Sequence, residues 1–283
     1  MSNGFDCIKL TENKFAQREA FKSAGLLVPK FKRVKSTQGL DLRDFQFPII
    51  VKPIDGGGSQ GINKLDREES FVESLSDALN HSRSHEAIIE EFIDGREFSV
   101  EYISHNGIHY NLQITDKVTS GAPHFIELQH HQPANITKEL VGRIKETVEK
   151  ALTALKIENS PSHTEIKLNS RNELYIIEIG ARMGGDHITS DLVRLSTGYD
   201  MVKGCIELAT GHFNKPKLGT PKYAGIYFYS QLAPKIGSII RNHENFPSII
   251  EWEIKEGVLP EVHSNADRGG YFIYQTKNGK FSI

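Results

Sequence analysis

Residues 163–182 read HTEIKLNSRNELYIIEIGAR, and this stretch constrains the fold more tightly than any other. Two apolar, strand-like runs flank a polar turn, the pattern of a β-hairpin. With the turn centred between Arg171 and Asn172, Glu165 faces Glu178 on one face of the ladder. Directly opposed residues have Cβ atoms roughly 4.5–5.5 Å apart. At about 5 Å, in an effective dielectric of about 20, two carboxylates repel by roughly 3 kcal/mol. A sheet gains no stability from such a pair, so water, a shared proton or a cation must relieve it. A hard divalent ion, Mg2+ above all, suits a site offering two carboxylates. The plain alternative is a solvent-facing edge with both glutamates hydrated. A register one residue off would set them on opposite faces.

The 283 residues are enough for one large domain or two modest ones. With 38% hydrophobic and 25% charged residues and a net charge of -2, nothing in the composition points to nucleic acid or an anionic membrane as partner. Two cysteines, Cys7 and Cys205, are too few for a disulfide framework or a thiolate zinc site. No apolar run approaches the roughly 18–20 residues of a membrane span, and the start, MSNGFDCIKL, has no apolar signal core. A soluble, reducing, cytoplasmic setting is expected.

Along the chain, residues 11–24 predict a short helix stopped by Gly25. FPIIVKP (47–53) is a β-branched run that leads into DGGGSQGI (55–62). Residues 67–82 have helical spacing, and 87–103 form two strand-like pieces broken at Asp94-Gly95. The clearest amphipathic helix spans 137–157, with Val141, Ile144, Val148, Leu152 and Leu155 on one face. After the hairpin come helical stretches near 187–196 and 199–210, then a Gly-, Pro- and Lys-rich segment at 211–222, the best boundary. The tail is β-rich in YAGIYFYSQLA, SIIEWEI and GGYFIYQT. The order is not a regular βαβα alternation, which favours an α+β or α/β fold other than a simple doubly wound sheet.

Lys52 ends an apolar strand just before Gly56, Gly57, Gly58 and Gly61. Glycines let backbone amides turn toward an anion, and an ammonium beside them adds a charge-assisted contact. The spacing is neither a Walker A loop nor a dinucleotide fingerprint. A plain flexible hairpin and a solvated lysine are the alternatives.

Taken in order, ENKFAQREAFKSAG, PIIVKPIDGGGSQGI, IIEEFIDGREFSVE, HTEIKL and IIEIGARMGGDH resemble the ATP-grasp family of carboxylate–amine ligases, amino-acid ligases included. The resemblance covers roughly residues 9–215, and the tail is similar to the small C-terminal module of such ligases. It implies an α+β ATP-grasp fold, two subdomains clamping the nucleotide. The domain at 1–215 would hold a lid at about 28–90 and a large subdomain at about 91–215, with a small β-rich module at 216–283.

The resemblance further implies that Lys14 and Lys52 contact ATP phosphates, with Gly56, Gly57, Gly58, Ser59 and Gly61 folding over them. Glu90, Phe92 and Ile93 would form the adenine hinge, and Glu97 would take the ribose hydroxyls. Glu165 and Glu178 would hold Mg2+, or Mn2+ in its place, and Arg182 would steady an acyl phosphate. The chemistry is mainly positioning plus charge neutralisation. In GAPHFIELQHHQPANI, Glu127, His130 and His131 are candidates for the acceptor substrate, His131 favoured by its spacing to Pro133; a polar surface loop is the alternative. Gly184, Gly185, His187 and Ser190 would lie where a helix N-terminus receives a substrate carboxylate, with ordinary capping by Asp186 as the alternative.

Two departures stand out. Gly180 occupies a position where many relatives have a metal-ligating Asn. An α/β domain that usually precedes this region is not in the chain, which implies a partner chain supplying it, or a trimmed or minimal version. The activity implied is ADP-forming ligation of a small carboxylate, an amino acid above all, to an amine. A nucleotide-binding subunit that needs a partner chain, or a carboxylase-like or nucleotide-biosynthesis ligase, are the alternatives; a homodimer would bury exposed apolar surface.

Overall fold

The computed structural model describes residues 2–38, 40–58, 60–122 and 124–283. The helix expected at 11–24 is α2 (Lys14–Ser23), and a further short helix, α1 (Phe5–Thr11), precedes it. Asn13 sets where α2 begins. It adopts an extended backbone and its side chain accepts from Ala16 N at 2.9 Å, so it starts a new helix.

A first antiparallel sheet follows, built from β1 (Phe31–Val34), β2 (Ile49–Pro53), β3 (Asn63–Leu65) and β4 (Ala87–Glu91) in the order β1-β4-β2-β3. Helix α3 (Phe71–Asn80) lays Phe71, Leu75 and Ala78 on Ile49, Val51 and Ile89 to make its core. The chain then crosses at Asp94-Gly95 into a larger antiparallel sheet of β5 (Arg96–His105), β6 (Ile108–Thr119), β7 (Glu127–Gln132), β8 (Ser160–Leu168), β9 (Leu174–Gly180), β10 (Tyr223–Tyr229), β11 (Ile249–Ile254) and β12 (Gly270–Thr276). Their order is β11-β12-β10-β7-β6-β5-β8-β9.

One face of this sheet is covered by α4 (Lys138–Ala154), capped by Thr137, whose Leu140, Ile144, Val148 and Leu152 meet Phe98, Val100, Ile114 and Ile176. Farther along, α7 (Pro234–Arg241) packs Ile236 and Ile240 on Tyr227, Phe272 and Tyr274. The other face carries a π turn at Ile188–Leu192, α5 (Val193–Thr197) and α6 (Met201–Ala209). The α+β class is as expected. The strands at 223–229, 249–254 and 270–276 extend the large sheet through the pairing of β10 with β7. Among the described residues no helix is long and apolar enough to cross a membrane.

Candidate active site

The hairpin that opens onto the site pairs Leu168 with Leu174, Lys167 with Tyr175 and Ile166 with Ile176. Its turn is thus centred on Arg171, half a step before the position the sequence suggested. An unbroken ladder would set Glu165 against Ile177. A β-bulge intervenes, Ile177 is left over, and Glu165 falls opposite Glu178.

Because β9 is the edge strand, its outer backbone groups have no strand partner, and α2 satisfies some of them. The Gln17 side chain donates to Ile179 O and accepts from Ile179 N, both at 3.0 Å, as a neighbouring strand would. Arg18 Nη2 donates to Ile177 O. Both side chains are buried, so these contacts fix how α2 lies. The consequence for the site is the placement of Lys14. From the first turn of α2 its Nζ lies 3.4 Å from Glu178 and donates to Gly56 O at 2.9 Å.

Arg18 and Lys52 converge on Glu90, Lys52 at 2.5 Å, in a fully buried group. Burial alone would raise the Glu90 pKa, but the two cations outweigh it and hold the carboxyl down at about 2. Burial pushes the Lys52 ammonium below its usual value, against the pull of Glu90. Lys52 and Glu90 wall a cavity between the two sheets whose rim includes Glu91, Phe92, Ile93, Glu97, Phe125 and Ile177. Phe92 and Phe125 lie 6.1 Å apart, with Lys167 Nζ 4.8 Å from the Phe92 ring. This is a slot with aromatic and aliphatic walls, suited to a flat ring.

A second cavity adjoins it, sharing Ile62 and Glu165. Lys14, Gly56, Gly57, Gly58, His163, Glu178, Gly180 and Arg182 line it. Gly61 lies just beyond its edge, and Ser59 lies outside the described residues. Arg182 Nη1 donates to Met183 O at 2.8 Å. His163, two residues before Glu165 on the same strand face, hydrogen-bonds through Nδ1 to the buried Glu101 at 2.6 Å. Against the effect of burial, Glu101 and Glu165 hold its pKa up at about 10. Gly184 must lack a side chain here, because a Cβ would sit 2.5 Å from His163 Nδ1.

Lys117 on β6 lines the slot and reaches Glu165, which borders both cavities. Its Nζ is 2.8 Å from Glu165, 2.8 Å from Glu127 and 3.1 Å from Glu97. Although burial works against the charged form, these carboxylates keep the Lys117 pKa well above its ordinary value. Lys117 holds Glu165 well below the usual carboxylate range, and burial is too weak to reverse this.

Beyond Lys117, Glu127 meets His130 at 3.4 Å, and Asp186 lies 3.9 Å from the same imidazole. Burial opposes protonation of His130, but Asp186 and Glu127 prevail and raise its pKa. Ligand atoms of Glu127, His130 and Asp186 all lie within 4.8 Å of one another, a spacing open to a metal. The chain, however, already supplies the cations: Arg268 grips Asp186 with two bonds, 2.7 and 3.0 Å, and Lys117 takes Glu127. Glu165 and Glu178 also have lysine neighbours, Lys117 at 2.8 Å and Lys14 at 3.4 Å, but they offer only carboxylate oxygens beside a glycine-lined cavity, the donor set a hard divalent ion prefers.

Several expectations require correction. His131 does not face this site; adjacent strand residues point to opposite faces, and His131 is buried behind the sheet between Tyr274 and Gln129, each at 2.9 Å. Burial drives its pKa down to about 2, so it is neutral. His130 is the one that faces Glu127. Asp186 caps no helix, because its carboxylate is committed to Arg268. His187, at φ 61°, bonds Asp191 at 2.9 Å and stacks on Tyr271; it and Gly185 line neither cavity. Ser190 also turns to Asp191.

The residues that the motifs passed over are Gln17, Arg18, Glu101, Lys117, His163 and Arg268. Alternation within HTE already placed His163 on the face of Glu165. The others depend on contacts distant in sequence.

The profile of the family described as ATP-grasp domain matches residues 45–191, just over half of the chain. The chain is similar to the alanine–anticapsin ligase of Bacillus subtilis, 27% identical over 224 residues, 71% of this chain and 47% of that protein. It is 37% identical over 113 residues to the D-alanine–D-alanine ligase of Lacticaseibacillus casei, 40% of this chain and 30% of that one. It therefore spans less than half the length of each of these curated relatives. The crystal structure of an L-amino acid ligase from Bacillus licheniformis superposes with a TM-score of 0.80 over 97% of this chain and 69% of that chain, at 23% identity, a likeness of fold.

Proposed function

The chain belongs to the ATP-grasp family, and from that premise we propose that it carries the site of an ATP-dependent, ADP-forming carboxylate–amine ligase. The observation that carries the reading is the bulge-set opposition of Glu165 and Glu178 beside Lys14 and the glycine segment. Adenine enters the slot at Phe92 and Ile93, and Glu97 takes the ribose. Lys14, Lys52 and the amides of residues 56–58 receive the phosphates. Glu165 and Glu178 would hold Mg2+, which would supply charge neutralisation for phosphoryl transfer. The Glu90 carboxylate, with both oxygens taken by Arg18 and Lys52, is the anchor that aims Lys52, which leaves any part of Glu90 in the adenine hinge to its backbone.

In the reaction a carboxylate oxygen of the substrate attacks the γ-phosphorus, and the bond to ADP breaks with its electron pair leaving on ADP. An amine then attacks the acyl carbon, phosphate departs, and the amine proton passes to phosphate or solvent. Arg182 lines the cavity where negative charge develops. Glu127 and His130, with Gly184 alongside His163, border the substrate end. An amino acid is the substrate class favoured by the likeness to amino-acid ligases.

ADP release with Mg-ATP and pooled amino acids tests the reading, with Glu178→Gln beside the parent. Acceptor-dependent release should fall by roughly 100-fold or more in the variant. Release that survives Glu178→Gln would remove the two carboxylates from the mechanism. Because the chain spans under half of these curated relatives, a second reading is a nucleotide-binding unit whose turnover needs another chain. It predicts Mg-ATP binding without release until that chain is added.

A further inference from the structure

The large sheet opens where β7 ends. That strand pairs His131 with Asp116 of β6 on one side and Gln132 with Ala224 of β10 on the other. Past Gln132, among the described residues, no strand lies between β6 and β10. The gap is a cavity of about 780 Å3, a size that takes a small organic molecule. It shares no lining residue with the two cavities of the candidate active site. Leu112 and Ile114 of β6 and Val141 of α4 give it apolar walls. Leu218 and Tyr223 also line it, although 47% and 37% of their surfaces are exposed.

Lys138, Lys145 and Lys280 line the same cavity. Among the described residues none of the three forms an ion pair, whereas Lys14, Lys52 and Lys117 each lie against a carboxylate. The carboxylate in the lining, Asp116, is already taken, by Arg96 Nη2 at 2.8 Å and Asn135 N at 2.7 Å. Lys280 turns inward and donates to Gln129 Oε1 at 3.3 Å. Burial lowers its pKa, against the opposing pull of Asp116. His131 adds no charge to the wall, because burial keeps it neutral between Tyr274 and Gln129. Apolar surface thus meets positive charge that no side chain of the lining balances.

We propose that this cavity is a second binding site, separate from the candidate active site, for a small carboxylic acid with an apolar body and no amino group. The carboxylate settles among the three ammonium groups, and the body covers Leu218 and Tyr223. An amino acid fits worse: its ammonium would join three like charges, and Asp116 is not free to receive it. An occupant rests against Gln132, which accepts from Ser196 Oγ at 2.9 Å and donates to Thr115 Oγ1 at 3.0 Å. It therefore leans on the strand that carries Glu127 and His130 to the active site.

Hydrocinnamate, which is phenylalanine without its amino group, is the probe, titrated calorimetrically into the whole chain beside phenylalanine itself. The parent should bind hydrocinnamate with a Kd on the order of 0.1–1 mM. Lys280→Met should weaken that binding about three- to ten-fold, while Lys280→Arg, which keeps the charge, should stay within about two-fold of the parent. Leu218→Glu, at a half-exposed position after α6, supplies a resident carboxylate and should abolish binding at this cavity. Phenylalanine binding that is lost in Leu218→Glu should be at least about ten-fold weaker than that of hydrocinnamate. A parent that binds no hydrocinnamate up to about 10 mM overturns the proposal. So does binding that Lys280→Met and Leu218→Glu both leave unchanged, each variant being folded by circular dichroism, since the ligand then sits elsewhere. Phenylalanine that matches hydrocinnamate, with the same loss in both variants, overturns the ligand class. Where Lys280→Met does not fold, Leu218→Glu and the comparison of the two ligands decide.

Discussion

Glu90 is buried between Arg18 and Lys52, and its protonation reports on the stability of everything those two side chains hold. Its pKa in the fold is about 2, below the ordinary 4.5. A depressed carboxylate contributes stability that is complete above its unfolded pKa and is lost as pH falls toward the folded one. The parent should therefore lose stability between about pH 4.5 and pH 2. Denaturant titrations across that range should show a flatter acid limb for Glu90→Gln; an unchanged limb would assign the acid sensitivity elsewhere. At this scale the sequence was legible where chemistry alone was informative. Two glutamates on facing strands needed relief by water, a shared proton or a cation whatever the fold. It was illegible where one residue of register decides, as at His130 and His131, because only the start of β7 tells which of two neighbours looks inward.

The crossing between the two sheets turns on Gly95. At φ 140° it lies against the end of β8, where a Cβ would come within 2.1 Å of Leu168 O. Gly95→Ala should cost about 1–3 kcal/mol or more in urea unfolding, since neither the backbone angle nor the space admits a side chain. A cost below about 0.5 kcal/mol would mean that the crossing yields freely. Helices with a clean apolar stripe and β-branched strands were readable before the structure. Strands β6 and β7 were not. On β6, Gln113, Thr115 and Lys117 share a polar face, Gln113 meeting Ser196, Thr115 meeting Gln132 and Lys117 reaching the site, so alternation of apolar and polar residues gives no guide to burial. The bulge at Ile177 is equally silent in the sequence, yet it carried the glutamate pairing through a turn centred half a step away. The eight-residue α7 was also not foreseen, being too short for its pattern to stand out.

At the scale of the whole molecule, this ATP-grasp fold has two α+β subdomains with separate main cores, one under α3 and one under α4. Helix α2 ties them together. Lys14 N donates to Ile54 O at the end of the first sheet, and Arg18 reaches from Glu90 on β4 to Ile177 on β9. Calorimetry of the parent should give a single cooperative transition. Arg18→Met, which leaves Glu90 with Lys52 alone and frees Ile177 O, should lose about 3–5 kcal/mol and separate the melting of the subdomains. A single transition in the variant would show that the interface between the sheets couples them without Arg18. The amide of Gln17 has a different consequence, one that concerns other molecules. By filling the ladder positions of Ile179, it takes away a rung that an incoming strand would need at that edge of an eight-stranded sheet. In a crowded solution of this protein, that occupied rung works against the edge-to-edge growth that turns open sheets into fibrils.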